Sequence, residues 1–142
     1  MLWRVMKDCL PTKTKLSRAI PIQDHCPFCD QQGKSSLHLF KECSFSRAIW
    51  FGTLGIQTDT IQADSSFAFG AWILKISKAT GDIQFITECH CLIESLWGYR
   101  NNIDRRGITA NPRHLMEQIH RMQQEYLISL SKTANRTRRC LT

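Results

Sequence analysis

From residue 65 onward the apolar positions recur every three or four residues, the spacing that lines one face of an α-helix. Between Ile83 and about Asn102 the stripe is Phe85, Cys89, Leu92, Leu96 and Tyr99. A second stripe, Leu115, Ile119, Met122, Tyr126 and Leu130, follows Asn111-Pro112. That dipeptide is a strong helix start, because Asn caps well and Pro suits the first helical position. The two stripes predict a pair of helices packed on each other. Ahead of them, Ser65 to Ala79 is apolar over most of its surface, with Phe67, Trp72, Leu74 and Ile76, and Thr80-Gly81 ends it. Residues 132–142 are polar and basic and are expected to fray.

The first fifty residues read differently, as short pieces around a loop. Thr12 is placed to cap a helix over Lys13 to Ala19, with Leu16 and Ile20 on its inner face. Residues 21–36, rich in Pro, Asp, Gln, Gly and Ser, form a loop. A helical turn at His38 presents Leu37 and Phe40 to a small core. Ser44 is placed to cap a helix from Phe45 to Leu54, with Ala48, Ile49 and Phe51 available for packing and Gly55 as its stop. The polar stretch Gln57 to Asp64 reads as a linker.

Composition narrows the class. A chain of 142 residues with 42% hydrophobic and 22% charged residues fits one folded domain or two small ones. It has no apolar run of about 18 residues, so no membrane span is expected. Lys7 and Asp8 interrupt the N-terminus before any signal-peptide core forms, which points to an intracellular, reducing compartment. The seven cysteines agree, since an odd number resists full pairing.

Their spacing is more informative than their number. Cys26, Cys29, His38 and Cys43 form C-x2-C-x8-H-x4-C. Three thiolates and an imidazole make a complete tetrahedral ligand set for Zn²⁺. With no carboxylate base left over, the pattern describes a closed structural site. His25, beside Cys26, is a competing ligand, but adjacent ligands impose an awkward bite; cysteines in an unmetallated core are the alternative to a site. Cys89-His90-Cys91 resembles a second cluster only on paper, because residues two apart on a helix face nearly opposite sides. Metal-bound or not, the predicted architecture is mainly α: a small zinc-stabilised loop between short helices, followed by a helical extension. The expected divisions are a module at 1–54, a linker at 55–64, a helical extension at 65–131 and a basic tail at 132–142.

Enzymatic patterns are missing. No H-x-E precedes a P-C-x-x-C as zinc deaminases require, HExxH is absent, and the carboxylates are too scattered to hold two divalent metals. A nucleophilic cysteine would need a low-pKa thiol that no motif indicates. The chain is therefore read as non-catalytic. The net charge of +7 is unevenly spread: residues 1–50 balance at +4, 51–100 at −2 and 101–142 at +5. Basic ends around an acidic middle suit a polyanionic partner, though they also serve solubility.

The order of motifs adds a family. Trp3-Arg4, Leu10-Pro11-Thr12 with Leu16, the Cys26-Pro27-Phe28-Cys29 knuckle, His38-Leu39-Phe40 with Cys43, and Phe45-Ser46-Arg47-Ala48-Ile49-Trp50 resemble the plant reverse-transcriptase zinc-binding domain. That domain lies downstream of the polymerase in LINE-type non-LTR retrotransposons. The resemblance covers about residues 2–52, and Leu96-Trp97-Gly98-Tyr99-Arg100-Asn101-Asn102 is similar to the stretch that follows the domain. It places the family's zinc ligands on Cys26, Cys29, His38 and Cys43. Lys34-Ser35-Ser36 replaces an acidic residue often found before the His-Leu-Phe element, and Ala19 stands where Arg or Gly is usual. Without polymerase or ribonuclease H, the chain reads as an N-terminally truncated fragment of such an element.

The resemblance implies a zinc-stabilised module that contacts RNA or DNA. Expected contacts are Lys13, Lys15, Arg18, Lys34, Lys41 and Arg47, with Phe28 as a stacking platform; each also reads as a solvated cation or, for Phe28, local packing. Two other readings stand beside it: a structural zinc module that recruits a protein through its C-terminal helices, and a decayed fragment without selected function.

Overall fold

The computed structural model describes residues 2–7, 26–29, 35–81, 83–107 and 109–141. Among these there is no β-strand. The helices are α1 (Leu2–Met6), α2 (Ser44–Leu54), α3 (Ser66–Thr80), α4 (Ile83–Arg106) and α5 (Pro112–Leu141), with a π-helical turn at His38–Glu42 and a 3-10 turn at Thr58–Thr60. The mainly helical architecture predicted from the spacing is present. No helix among the described residues is long and apolar enough to cross a membrane.

Helices α4 and α5 pack through the α4 stripe and the N-terminal half of the α5 stripe; Tyr126 and Leu130, expected inside, are exposed. Cys89, Leu92, Leu96 and Tyr99 are buried on α4, as are Leu115 and Ile119 on α5. Asn111 caps α5 as its position predicts, its side-chain oxygen accepting from the N–H of Arg113 at 3.1 Å. Ser65 does the same for α3, accepting from Ala68 at 3.1 Å. Gly55 and Gly81 close α2 and α3 in the left-handed conformation, with φ of 67° and 64°.

One apolar cluster runs through the chain. It joins Val5 of α1, Leu39 and Phe40 of the π-turn, Ile49 and Trp50 of α2, Phe69 and Ile73 of α3, and the inner faces of α4 and α5. The stretch 57–64 takes part: Thr58 and Ile61 are buried. Helix α1 lies against α3 so closely that a Cβ on Gly70 would run into Cγ of Met6.

Three local expectations are corrected. Helix α2 starts one residue earlier than predicted, with extended Cys43 (ψ 133°) as its N-cap rather than Ser44. Trp50 joins Ile49 inside, while Ala48 and Phe51 face outward. Residues 132–141 continue α5 instead of fraying; after Pro112 the sequence has neither Gly nor Pro to stop it, and Arg, Lys, Leu and Ala favour helix. The expected helix at Lys13 to Ala19, with Thr12, Leu16 and Ile20, lies outside the described residues.

Candidate metal centre

The site is built on two corners of backbone. The first is the turn at Pro27–Cys29, which folds Cys26 and Cys29 toward one point. The second is the π-turn that carries His38 and ends at Cys43. A π-turn widens the helix by one residue per hydrogen bond: the N–H of Cys43 donates to the carbonyl of His38 at 2.8 Å, five residues back. Cys43 then breaks to extended backbone, and the N–H of Arg47 donates to its carbonyl at 2.8 Å to open α2. The four donor atoms thus come from two short segments.

All four ligand atoms lie within 4.8 Å of one another. The Sγ atoms of Cys26 and Cys43 are 3.9 Å apart, and Sγ of Cys29 is 3.3 Å from Nε2 of His38. Zn–S bonds of about 2.3 Å and Zn–N bonds of about 2.0–2.1 Å set tetrahedral edges of about 3.8 Å for S···S and about 3.6 Å for S···N. The observed edges match within a few tenths of an ångström. Cys26, His38 and Cys43 are buried and Cys29 is half-buried, so the donor set fits a closed tetrahedral metal ion. Among the described residues no other group of Cys, His, Asp or Glu assembles this way.

The electrostatics suit a cation. A hydrogen bond from Cys43 holds the Cys26 thiol well below its ordinary range, against burial and with help from His38 and the backbone amides of Cys29 and Phe28. The same contact, followed by burial, pushes Cys43 up, while the amides of Ser46 and Phe45 favour its thiolate. Two thiolates so close repel each other, and a divalent ion between them removes that repulsion.

What holds the π-turn in place was not visible in the spacing. The carbonyls of Leu39, Phe40 and Lys41 are each claimed by a side chain. The Ser46 hydroxyl donates to Leu39, the Trp50 indole N–H to Phe40 at 2.7 Å, and the Thr58 hydroxyl to Lys41 at 2.8 Å. At the other end, Ser35 Oγ accepts from the N–H of His38 at 3.3 Å. Ser46 and Trp50 sit four apart, so one face of α2 presents both donors. This gives the Phe-Ser-Arg-Ala-Ile-Trp motif a physical role: it locks the turn that carries His38. Only tertiary pairing reveals Thr58, whereas Ser35 is a local partner, three residues before His38.

The expected nucleic-acid contacts are dispersed. Lys13, Lys15, Arg18 and Lys34 lie outside the described residues. Lys41 is half-buried on the π-turn. Arg47 is paired with Asp59 at 3.3 Å, both partly exposed. Phe28 stacks on Phe45 (centroids 4.4 Å apart) and lies 6.1 Å from Tyr99, which ties the metal loop to α2 and α4. His25 lies outside the described residues. Cys89 and Cys91 are buried thiols away from the cluster, and burial pushes the Cys89 pKa up to about 12.

Fold and site together define a helical module with a buried Cys₃His metal-binding cluster. Comparison with protein families agrees: residues 1–50 match the family described as zinc-binding in reverse transcriptase, a segment that includes all four donors. No curated protein and no solved structure matches the chain.

Proposed function

We propose that this chain is a non-catalytic zinc module, of the kind found downstream of LINE-type reverse transcriptases in plants, and that it contacts RNA or DNA. The reading is carried by the convergence of Cys26, Cys29, His38 and Cys43 within 4.8 Å in a segment similar to a reverse-transcriptase zinc domain. Bound there, Zn²⁺ supplies cross-linking of two short segments. Four protein donors fill a tetrahedron and leave no position for water or substrate, which suits a structural role. The protein's own part is to hold His38 and Cys43 at the right separation through the π-turn and its three side-chain donors. By tying two short segments together, metal binding contributes to the local folding free energy.

A net charge of +7 favours a polyanionic partner. Fluorescence anisotropy with labelled RNA and DNA oligonucleotides tests the reading. Affinity should fall steeply as salt rises from 50 to 200 mM, and absence of binding at low salt would refute it. A second reading, a protein-recruiting module, draws on Tyr126, Ile128 and Leu130 of α5, which are large, apolar and exposed. Nuclease treatment separates the two, abolishing association through nucleic acid and sparing association through protein.

A further inference from the structure

Where α4 ends and α5 begins, the two helices leave a cleft of about 340 Å³, lined by Tyr99, Asn102, Arg106, His114, Gln118 and Arg121 besides Ile103. Its polar lining is made of hydrogen-bond donors and cations, with no carboxylate among the described side chains. Arg106 comes from the last turn of α4, and His114 from the first turn of α5, where the helix dipole adds positive potential. Two guanidinium groups on opposite walls suit the oxygens of a phosphate, which Arg binds through paired N–H donors.

The cleft is held rigid from the metal side. Tyr99 lies in the Phe28–Phe45 aromatic stack, 6.1 Å from each ring, and its hydroxyl accepts from the N–H of Asn111 at 2.9 Å. The wall also continues. On an α-helix, residues eleven apart return to nearly the same face after three turns. Arg121 is followed at that distance by Lys132, then by Arg136, so the row beginning at His114 runs along α5, with Glu117 and Glu125 the acids one turn to either side of Arg121. From His114 to Arg136 it is about 33 Å long at 1.5 Å per residue.

We infer that the α4–α5 cleft is a phosphate-binding site for the backbone of an RNA or DNA strand, with Arg106 and Arg121 as its clamp and the outer face of α5 as its continuation. This rests on the reading of the chain as a nucleic-acid-contacting module, and it locates the contact outside the metal loop. The other source of the same chemistry is a free nucleotide, which would use the cleft and ignore the α5 row.

The test uses the full chain with zinc, a labelled single-stranded oligonucleotide of about 20 nucleotides, and the variants Arg106→Gln/Arg121→Gln and Lys75→Gln/Lys78→Gln. The second variant removes the same charge from exposed positions on α3 and controls for net charge. Each lost phosphate contact on a single strand lowers the slope of log K against log salt by about 0.7. The cleft variant should therefore lose about 1.4 in slope and roughly 25-fold in affinity at 0.1 M salt, with an unchanged far-UV circular dichroism spectrum, while the α3 variant keeps most of the affinity. Equal losses in the two variants, or none in the cleft variant, overturn the cleft and leave the module's nucleic-acid contact standing. Wild-type protein that binds no oligonucleotide at 50 mM salt overturns both. Competition by a mononucleotide as effective as by the unlabelled strand overturns the backbone assignment.

Discussion

Replacing Trp50 by Phe should cost far more than the loss of a few atoms suggests. The indole is fully buried, packs edge-on against Phe69 at 5.6 Å, and donates to the carbonyl of Phe40 at 2.7 Å. Phe fills most of the space but cannot donate, so a buried carbonyl in the π-turn loses its partner, at about 1–3 kcal/mol. The smaller ring leaves roughly 35–40 Å³ unfilled, or about 0.9 kcal/mol at 24 cal/mol per Å³. The sum, about 2–4 kcal/mol, is a large share of the roughly 5–15 kcal/mol typical of a folded domain. The assay is urea unfolding with zinc in excess, followed by circular dichroism because the substitution removes a fluorophore. Thr58→Val provides a second arm: it empties the neighbouring Lys41 carbonyl with almost no change of volume and should cost about 1–3 kcal/mol. Both variants should also bind zinc more weakly, since both loosen the turn that carries His38. A Trp50→Phe cost under about 0.5 kcal/mol, with zinc affinity unchanged, would refute the view that these donors hold the metal-bearing turn.

Three further outcomes follow from the packing. Gly70→Ala should destabilise by about 1–3 kcal/mol by overpacking, despite Ala's better helix propensity, because its Cβ meets Cγ of Met6 rather than a flexible tip; thermal melts check this, and Met6→Ala should relieve it. Burial raises the Cys89 pKa from 9.0 to about 12, so the folded state keeps its proton where the unfolded chain gives it up. That contribution is fully present below pH 9 and is lost between pH 9 and 12 at up to about 1.4 kcal/mol per pH unit; denaturant titrations of wild type and Cys89→Ala should diverge over that window and run parallel below it. Deleting residues 132–142 should lower helix content yet leave the melting temperature within about 2 °C, since every described side chain there is exposed.

Local spacing carried much of this structure. The stripe of α4, the first half of the stripe of α5 and the cap at Asn111 depend on neighbours within four residues, and each is where the sequence places it; Tyr126 and Leu130, at the far end of the α5 stripe, are exposed. The four metal donors were legible for the same reason, since ligand spacing is a local property of two turns. Long-range pairing was not legible. Thr58 looks like one more polar residue in a linker until its hydroxyl is found on the Lys41 carbonyl, 17 residues earlier in the chain. Cys43 rather than Ser44 caps α2 because the backbone must extend there to turn its sulfur toward Cys26. The α4–α5 cleft escaped notice because Arg106 and Arg121 meet only once the helices pack.

The proposed function depends on zinc in the Cys26, Cys29, His38 and Cys43 cluster. Metal analysis of the purified full chain, beside a Cys26→Ser/Cys43→Ser variant, addresses that directly. One equivalent of zinc per wild-type chain, lost from the variant together with a drop in melting temperature, is the predicted result. A wild-type protein that is metal-free, keeps its helical spectrum and melts identically with and without a strong chelator would contradict it.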